Sequence, residues 1–270
     1  MKKDETITLG KFKQTKKKIS NSQRNFMIST FSVIAFLILW EVCSYYKLVN
    51  PLFISSPLKI VEAAGALFVD SAYWNHIGVS AYEFAIGFLF ALIIGIPIGI
   101  FAGWNQIFNA IINPFVSALY VTPKVALLPI IIIAFGIGIT SKIVVVFLMA
   151  FFPIVMSAQK AMSTLDQNLI KAARSFTASE FQIFRTIALP STVPFLLNGI
   201  RIGLGQGLIA IVVGEMYAST AGIGYHLTHA GQNLKTAEMF VGVAVIAISG
   251  VLLTGMIGLI EKKFSSWKPE

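Results

Sequence analysis

One cysteine, three histidines and twelve acidic residues in 270 leave few materials for a catalytic or metal site. Cys43 stands alone inside an apolar run, which excludes an intrachain disulfide. His76, His226 and His229 form no metal-ligand spacing with carboxylates or thiols, and the last two fall beside an expected outer loop, where they are read as solvated. No Gly-x-x-x-x-Gly-Lys-Ser/Thr run occurs, so the chain lacks the P-loop that cradles ATP phosphates. Gly203-Leu204-Gly205 has no preceding strand and is no dinucleotide loop. No nucleophile stands with a base. The sequence therefore points away from an enzyme, a metal and a cofactor. Charged residues make up only 12%, and the net charge of +9 comes from Lys and Arg beside apolar spans rather than from a basic face, which argues against a nucleic-acid partner.

What fills the chain instead is apolar. Hydrophobic residues reach 56% and mean hydropathy is +0.78, with 22 Phe. The long Ile/Leu/Val runs show no alternating period, so the reading is an all-α membrane protein and not a barrel. Six spans are expected, at about residues 26–46, 78–103, 107–135, 141–163, 193–217 and 239–260. Residues 1–25 form a basic tail suited to anionic membrane lipid. Glu41 is expected solvated at the outer interface, and Ser56-Pro57 opens a short helix with Ile60, Ala63, Ala64 and Leu67 on one face. In the second span Gly95, Pro97, Gly99 and Gly103 allow close helix approach. The third is interrupted at Asn113-Pro114 and Thr122-Pro123-Lys124. Lys124 near mid-membrane either lines a pathway or snorkels from a re-entrant turn. The fifth span carries Arg201, Gln206 and Glu215 among five glycines, a composition that suits tight packing or a substrate path.

Basic residues set the orientation. Eight lie in 1–25, four in 158–192 and three after 260, against Lys47, Lys59, Lys142 and Lys235 on the other side. This bias puts both termini and the loop 164–192 in the cytoplasm.

That loop is a polar island between apolar runs. Asp166 is placed to cap a short helix bearing Leu169, Ala173 and Phe176. Ser179 restarts the helix with Gln182 completing a capping box, and Pro190 is expected to stop it before Thr192 caps the next span. Its spacing resembles the cytoplasmic loop of the integral-membrane subunits of bacterial ABC importers, which reads E-A-A, three residues, G, nine residues, I-x-L-P. Here Lys171-Ala172-Ala173 is followed by three residues, Thr177, nine residues, then Ile187-Ala188-Leu189-Pro190. Lys171 and Thr177 depart from the family's Glu and Gly.

The resemblance extends across residues 33–263, through Gly95-Ile96-Pro97-Ile98-Gly99, Ala126-Leu127-Leu128-Pro129, Phe135-Gly136-Ile137-Gly138, Gly214-Glu215-Met216 and Gly222-Ile223-Gly224-Tyr225. These look like the permeases of the nitrate, sulfonate, taurine and thiamine-precursor importers. The resemblance implies a type I importer permease fold, a homodimer, two copies of a separate ATPase and an extracytoplasmic substrate-binding protein. It also implies that Lys171, Ala172, Ala173 and Thr177 meet the ATPase while Ile187, Leu189 and Pro190 fix the loop to the fifth span. Lys124, Gln206, Glu215 and Met216 are the candidates for the translocation path. Arg201 is expected to reach lipid phosphate or the ATPase-side surface. The solute implied is a small anion or a thiamine-precursor-like heterocycle. The alternative is an ion-coupled secondary transporter or channel, which needs an inverted repeat that the sequence does not show.

Overall fold

The computed structural model describes residues 21–50 and 52–264, so most of the expected basic tail lies outside the described residues. The helices are α1 (Asn21–Tyr45), α2 (Pro57–Val69), α3 (Ser71–Trp104), α4 (Gln106–Val121), α5 (Leu128–Phe135), α6 (Ile139–Ser163), α7 (Gln167–Ser175), α8 (Glu180–Ile183), α9 (Leu189–Ala218), α10 (Ile223–Gln232) and α11 (Thr236–Phe264). No strand occurs among the described residues. Five helical runs are long and apolar enough to cross a membrane, and α4 with the Lys124–Phe135 segment makes a sixth bent by 90°.

Helix ends follow local chemistry. The Asp70 carboxylate accepts from the Ala72 amide, and α3 starts there, seven residues before the apolar pattern does. Asn105 closes α3 and caps α4, accepting from the Ile107 and Phe108 amides. The helix then runs through Pro114, and the expected break at Asn113-Pro114 does not occur. It breaks at Thr122, whose ψ of 130° is the extended conformation that a following proline enforces. A 3-10 turn, Lys124–Leu127, leads into α5, which Gly136 ends at φ +82°.

Pro190, expected to stop the loop helix, lies inside a continuous one. It does not separate the loop from the fifth span: α8 passes through a π-turn, Phe184–Ala188, straight into α9, giving one helical run of 39 residues from Glu180 to Ala218. The Leu189 amide reaches back to the Phe184 carbonyl, the Ser191 hydroxyl donates to Ile187 O (2.7 Å), and Thr192 donates to Leu189 O (2.7 Å) instead of capping a new helix. The π-turn shifts the hydrogen-bond register around the residue that has no N–H, and two hydroxyls satisfy nearby carbonyls.

The core is centred on α6, whose Val145, Val146, Ala150, Ile154, Val155 and Ala158 are almost completely buried. One side meets a stripe on α3 at four-residue spacing, Gly87, Ala91, Gly95, Gly99 and Gly103. There is no room for side chains here: a Cβ on Gly87 would lie 2.8 Å from Val146 Cβ, and one on Gly99 2.6 Å from Ala158 Cβ. The other side meets α9 at Gly199, where a Cβ would fall 2.6 Å from Ser157 Oγ, and at Gly203. In contrast, α1 keeps an exposed apolar surface and touches the rest near Trp40, whose indole donates to Ser55 O (2.9 Å) and has its ring centre 5.4 Å from that of Phe240, the two tilted by 60°. Glu41 is not simply solvated, since its carboxylate accepts from the Leu58 amide (3.0 Å) at the start of α2.

Gly99→Leu is expected to prevent assembly of α3 on α6, because the clash is with backbone and a buried alanine. Size-exclusion of the detergent-solubilised variant should show aggregate in place of the parent peak, whereas Gly65→Leu, with open space around it, should elute normally.

Candidate functional site

Three places concentrate polar or unpartnered groups: the cytoplasmic loop, one face of α9, and a buried network at the outer end of α3, α6 and α9.

In the loop, both expected caps are present. Asp166 accepts from the Asn168 amide (2.8 Å), and Ser179 and Gln182 form the reciprocal capping box. The inner side of the loop is pinned by a cluster of Met162, Leu165, Ile170, Ile183 and Ala188, against which Ala173, Ile187, Phe184 and Trp104 pack. Lys171, Ala172 and Thr177 are exposed, Leu189 and Pro190 half-buried. The outer side carries Leu169, Phe176 and Phe181, the two aromatics 85% and 70% exposed. Ala173 thus faces the protein's own cluster, while Phe176 faces outward. Thr177 has φ +62°, with its amide on Arg174 O and the Ala178 amide on Ala173 O. This is a Schellman end, and the left-handed position belongs to glycine; a β-branched residue there is strained.

The path candidates do not share one environment. Lys124 sits at the elbow between α4 and α5, its Nζ donating to Tyr120 O (2.9 Å) and lying 5.4 Å and 5.3 Å from the Tyr120 and Phe152 ring centres. Phe195, Asn198, Ile202, Gly205, Ile209 and Met216 recur three, four or seven apart and are all exposed, so α9 presents an open face along its length. Gln206 is half-buried at its edge. Glu215 points the other way and is 1% exposed. Arg201 ion-pairs with Glu261 of α11 at 2.9 Å rather than reaching toward lipid or a cytoplasmic partner.

The outer network was not visible in the sequence. Glu83 of α3 and Lys142 of α6, both buried, form an ion pair at 2.7 Å. Lys142 Nζ also donates to Ser219 Oγ (2.9 Å) just beyond α9. Ser80 Oγ donates to Glu215 Oε1 (2.6 Å) and accepts from the Ile223 amide (2.8 Å), while the Gly224 amide donates to Glu215 Oε2 (2.7 Å). The Gly222 amide donates to His76 Nδ1 (3.1 Å). Two motifs that the sequence shows separately, Gly214-Glu215-Met216 and Gly222-Ile223-Gly224-Tyr225, therefore meet. Gly222, at φ +114°, must lack a side chain because a Cβ there would strike the Glu215 carboxylate. Lys142, counted in sequence as an outer basic residue, is a buried partner. The missed signal was Glu83 itself, an acidic residue in an apolar span that needs a partner. His226 is also buried rather than solvated, with its ring 5.0 Å from Tyr73 and 5.7 Å from His76. Burial holds its pKa below the usual histidine value, opposed by Glu238.

A cavity of about 700 Å³ lies among α3, α9 and α11 and is lined by apolar side chains such as Phe84, Leu208 and Met256. Its two hydroxyls, Ser80 and Ser249, are already hydrogen-bonded within the protein, so it offers a solute no free polar group.

Glu83→Ala leaves Lys142 buried without a countercharge, and a loss of about 3–5 kcal/mol of stability is expected. Thermal unfolding in detergent should show a lowered midpoint that Lys142→Met in the same chain largely restores. Thr177→Gly should act in the opposite direction, a gain of about 0.5–1 kcal/mol from relief of the left-handed strain net of glycine's chain entropy, read as a raised midpoint.

Residues 95–266 match the model of the binding-protein-dependent transport system inner membrane component family. The taurine transport system permease protein of Escherichia coli (strain K12) is 33% identical, the alignment covering 92% of each chain. The putative aliphatic sulfonates transport permease protein of Bacillus subtilis (strain 168) is 30% identical over 85% of this chain and 83% of that one. Among solved structures, an inward-facing form of the MetNI methionine ABC transporter superposes with a TM-score of 0.59 at 22% identity, over 73% of this chain and 96% of that one. The chain belongs to the family of binding-protein-dependent transport system inner membrane components, and is a multi-pass ABC importer permease.

Proposed function

We propose that two copies of this chain enclose a path for a small sulfonate-type anion, that an external binding protein delivers the solute, and that a separate ATPase drives transport through α7 and α8. The observation that carries the ATPase contact is the outer side of the loop. A pinned scaffold presents Leu169, Phe176 and Phe181 to solvent at a polar, cytoplasmic position where exposed aromatics have no lipid to meet. Lys171, Ala172 and Thr177 border them, and Ala173, Ile187, Leu189 and Pro190 hold the segment onto α9. The open face of α9 with Lys124, Gln206 and Met216 lines the path, and Glu215 shapes its outer end from behind by holding the turn after α9. Similarity to permeases named for taurine and aliphatic sulfonates supports the solute class.

Motion at α8 has a covalent route into the path, because the helical run from Glu180 to Ala218 has no break at Pro190. ATP-driven closure of the ATPase pair would thereby exchange inward-open and outward-open arrangements of the spans.

Phe176→Asp puts a charge into the proposed contact, and a penalty of at least about 2 kcal/mol, roughly thirtyfold in affinity, is expected. Mild-detergent purification of the tagged parent should recover a P-loop ATPase in about equal amount. The variant should lose it while its own elution profile is unchanged. Undiminished ATPase recovery with Phe176→Asp would remove the loop assignment. Recovery of the parent chain alone would instead remove the proposed ATPase contact as a stable one.

A further inference from the structure

We infer that the cleft between α4, α6 and α9 is an oxyanion site at the inner end of the path, with Lys160 as its cation and Tyr120, Ser157 and Asn198 as its hydrogen-bonding groups; this rests on the importer reading and specifies where its solute is held.

The cleft measures about 190 Å³. Four polar side chains line it, the Tyr120 hydroxyl, the Ser157 hydroxyl, the Asn198 amide and the Lys160 ammonium, and none of them is hydrogen-bonded or ion-paired to another described residue. That sets them apart from their neighbours. Gln159, next along α6, spends its amide on Asn109 (2.7 Å) and Asn113 (3.3 Å), and the hydroxyls of the larger cavity are likewise engaged. Every one of the four is a donor, and no carboxylate lines the cleft. A second cation stands close by: Lys124 Nζ lies 5.4 Å from the centre of the Tyr120 ring, one wall of the cleft, and has no carboxylate partner among the described residues. Four donors lining one cleft, with one or two positive charges and no carboxylate, favour an oxyanion. Met156, Phe195 and Ile202 supply apolar walls for a short alkyl group attached to it.

The position fits a last stop before release. Lys160 is in the final turn of α6, at the cytoplasmic end, and Asn198 and Ile202 belong to the open face of α9. A lysine at this depth also matches the phosphate of a lipid headgroup, so sulfonate and phosphate-bearing lipid share the recognition chemistry and have to be told apart by experiment.

Ile202→Cys in a Cys43→Ser chain, reconstituted in discs of neutral phosphatidylcholine, places one thiol in the cleft. Its labelling by an anionic and a cationic methanethiosulfonate is compared with the ratio of the two reagents toward a small free thiol. The expected result is an excess preference for the anionic reagent of about tenfold. Lys160→Gln should abolish that preference and Lys160→Arg should keep it. Methanesulfonate as probe should slow labelling in the neutral discs, and less so when Asn198→Leu is added. A preference that is absent, or that survives Lys160→Gln, overturns the site. Protection by phosphatidylglycerol in the discs with none by methanesulfonate makes it a lipid-headgroup contact and overturns the solute assignment. Labelling requires no ATPase, so this outcome is independent of whether the ATPase co-purifies. Failure of the co-purification removes the proposed ATPase contact while leaving the anion preference to be read on its own.

Discussion

Glycine contact on both flanks of α6 is the constraint on which the other features depend. Within a bilayer there is little hydrophobic force to bring helices together, so association relies on backbones approaching closely enough for dispersion to act. α3 offers Gly87, Gly95, Gly99 and Gly103 to one flank, and α9 offers Gly199 and Gly203 to the other. With the three helices clasped in this way, Lys142 has nowhere to go but onto Glu83, and the outer turn is brought down onto Glu215. The same clasp sets the lower end of α6, where Met162 and, just past the helix, Leu165 pin the cytoplasmic loop.

The buried outer network is best understood as a way of satisfying backbone as much as charge. The turn between α9 and α10 carries the amides of Gly222, Ile223 and Gly224 into a site closed to water, where unpaired donors are expensive. His76, Ser80 and Glu215 each accept one of them. Glu215 can hold both Ser80 and Gly224 because a carboxylate has acceptors on two oxygens. The cost is two carboxylates and a lysine withdrawn from solvent, which is tolerable only while every partner stays in place.

Legibility in the sequence followed the range of the interactions. The caps at Asp166 and Ser179, the close-packing glycines of α3 and the helical character of the spans were readable, since each depends on residues within a turn or two. The family was readable too, because the loop spacing and the glycine motifs survive as fixed intervals. The Glu83–Lys142 pair was not, as the partners stand 59 positions apart and Lys142 had an ordinary explanation as an outer basic residue. Arg201 with Glu261 and the packed His226 escaped for the same reason. Pro190 misled in another way. Proline removes one hydrogen bond, but whether that ends a helix depends on whether the register can shift around it, and here Ser191 and Thr192 and the π-turn allow it.

The continuous run from Glu180 to Ala218 has a mechanical corollary. Thirty-nine residues at a rise of about 1.5 Å give a contour of roughly 58 Å, a single shaft with no joint between the cytoplasmic tip and the outer turn. Such a shaft cannot absorb displacement by flexing at a loop. Its soft points are the π-turn, where a register shift of one residue would shorten or lengthen it, and Pro194, which leaves one rung of the ladder open, so axial travel at Phe181 that these do not take up is carried along the helix toward Glu215 and Ser219.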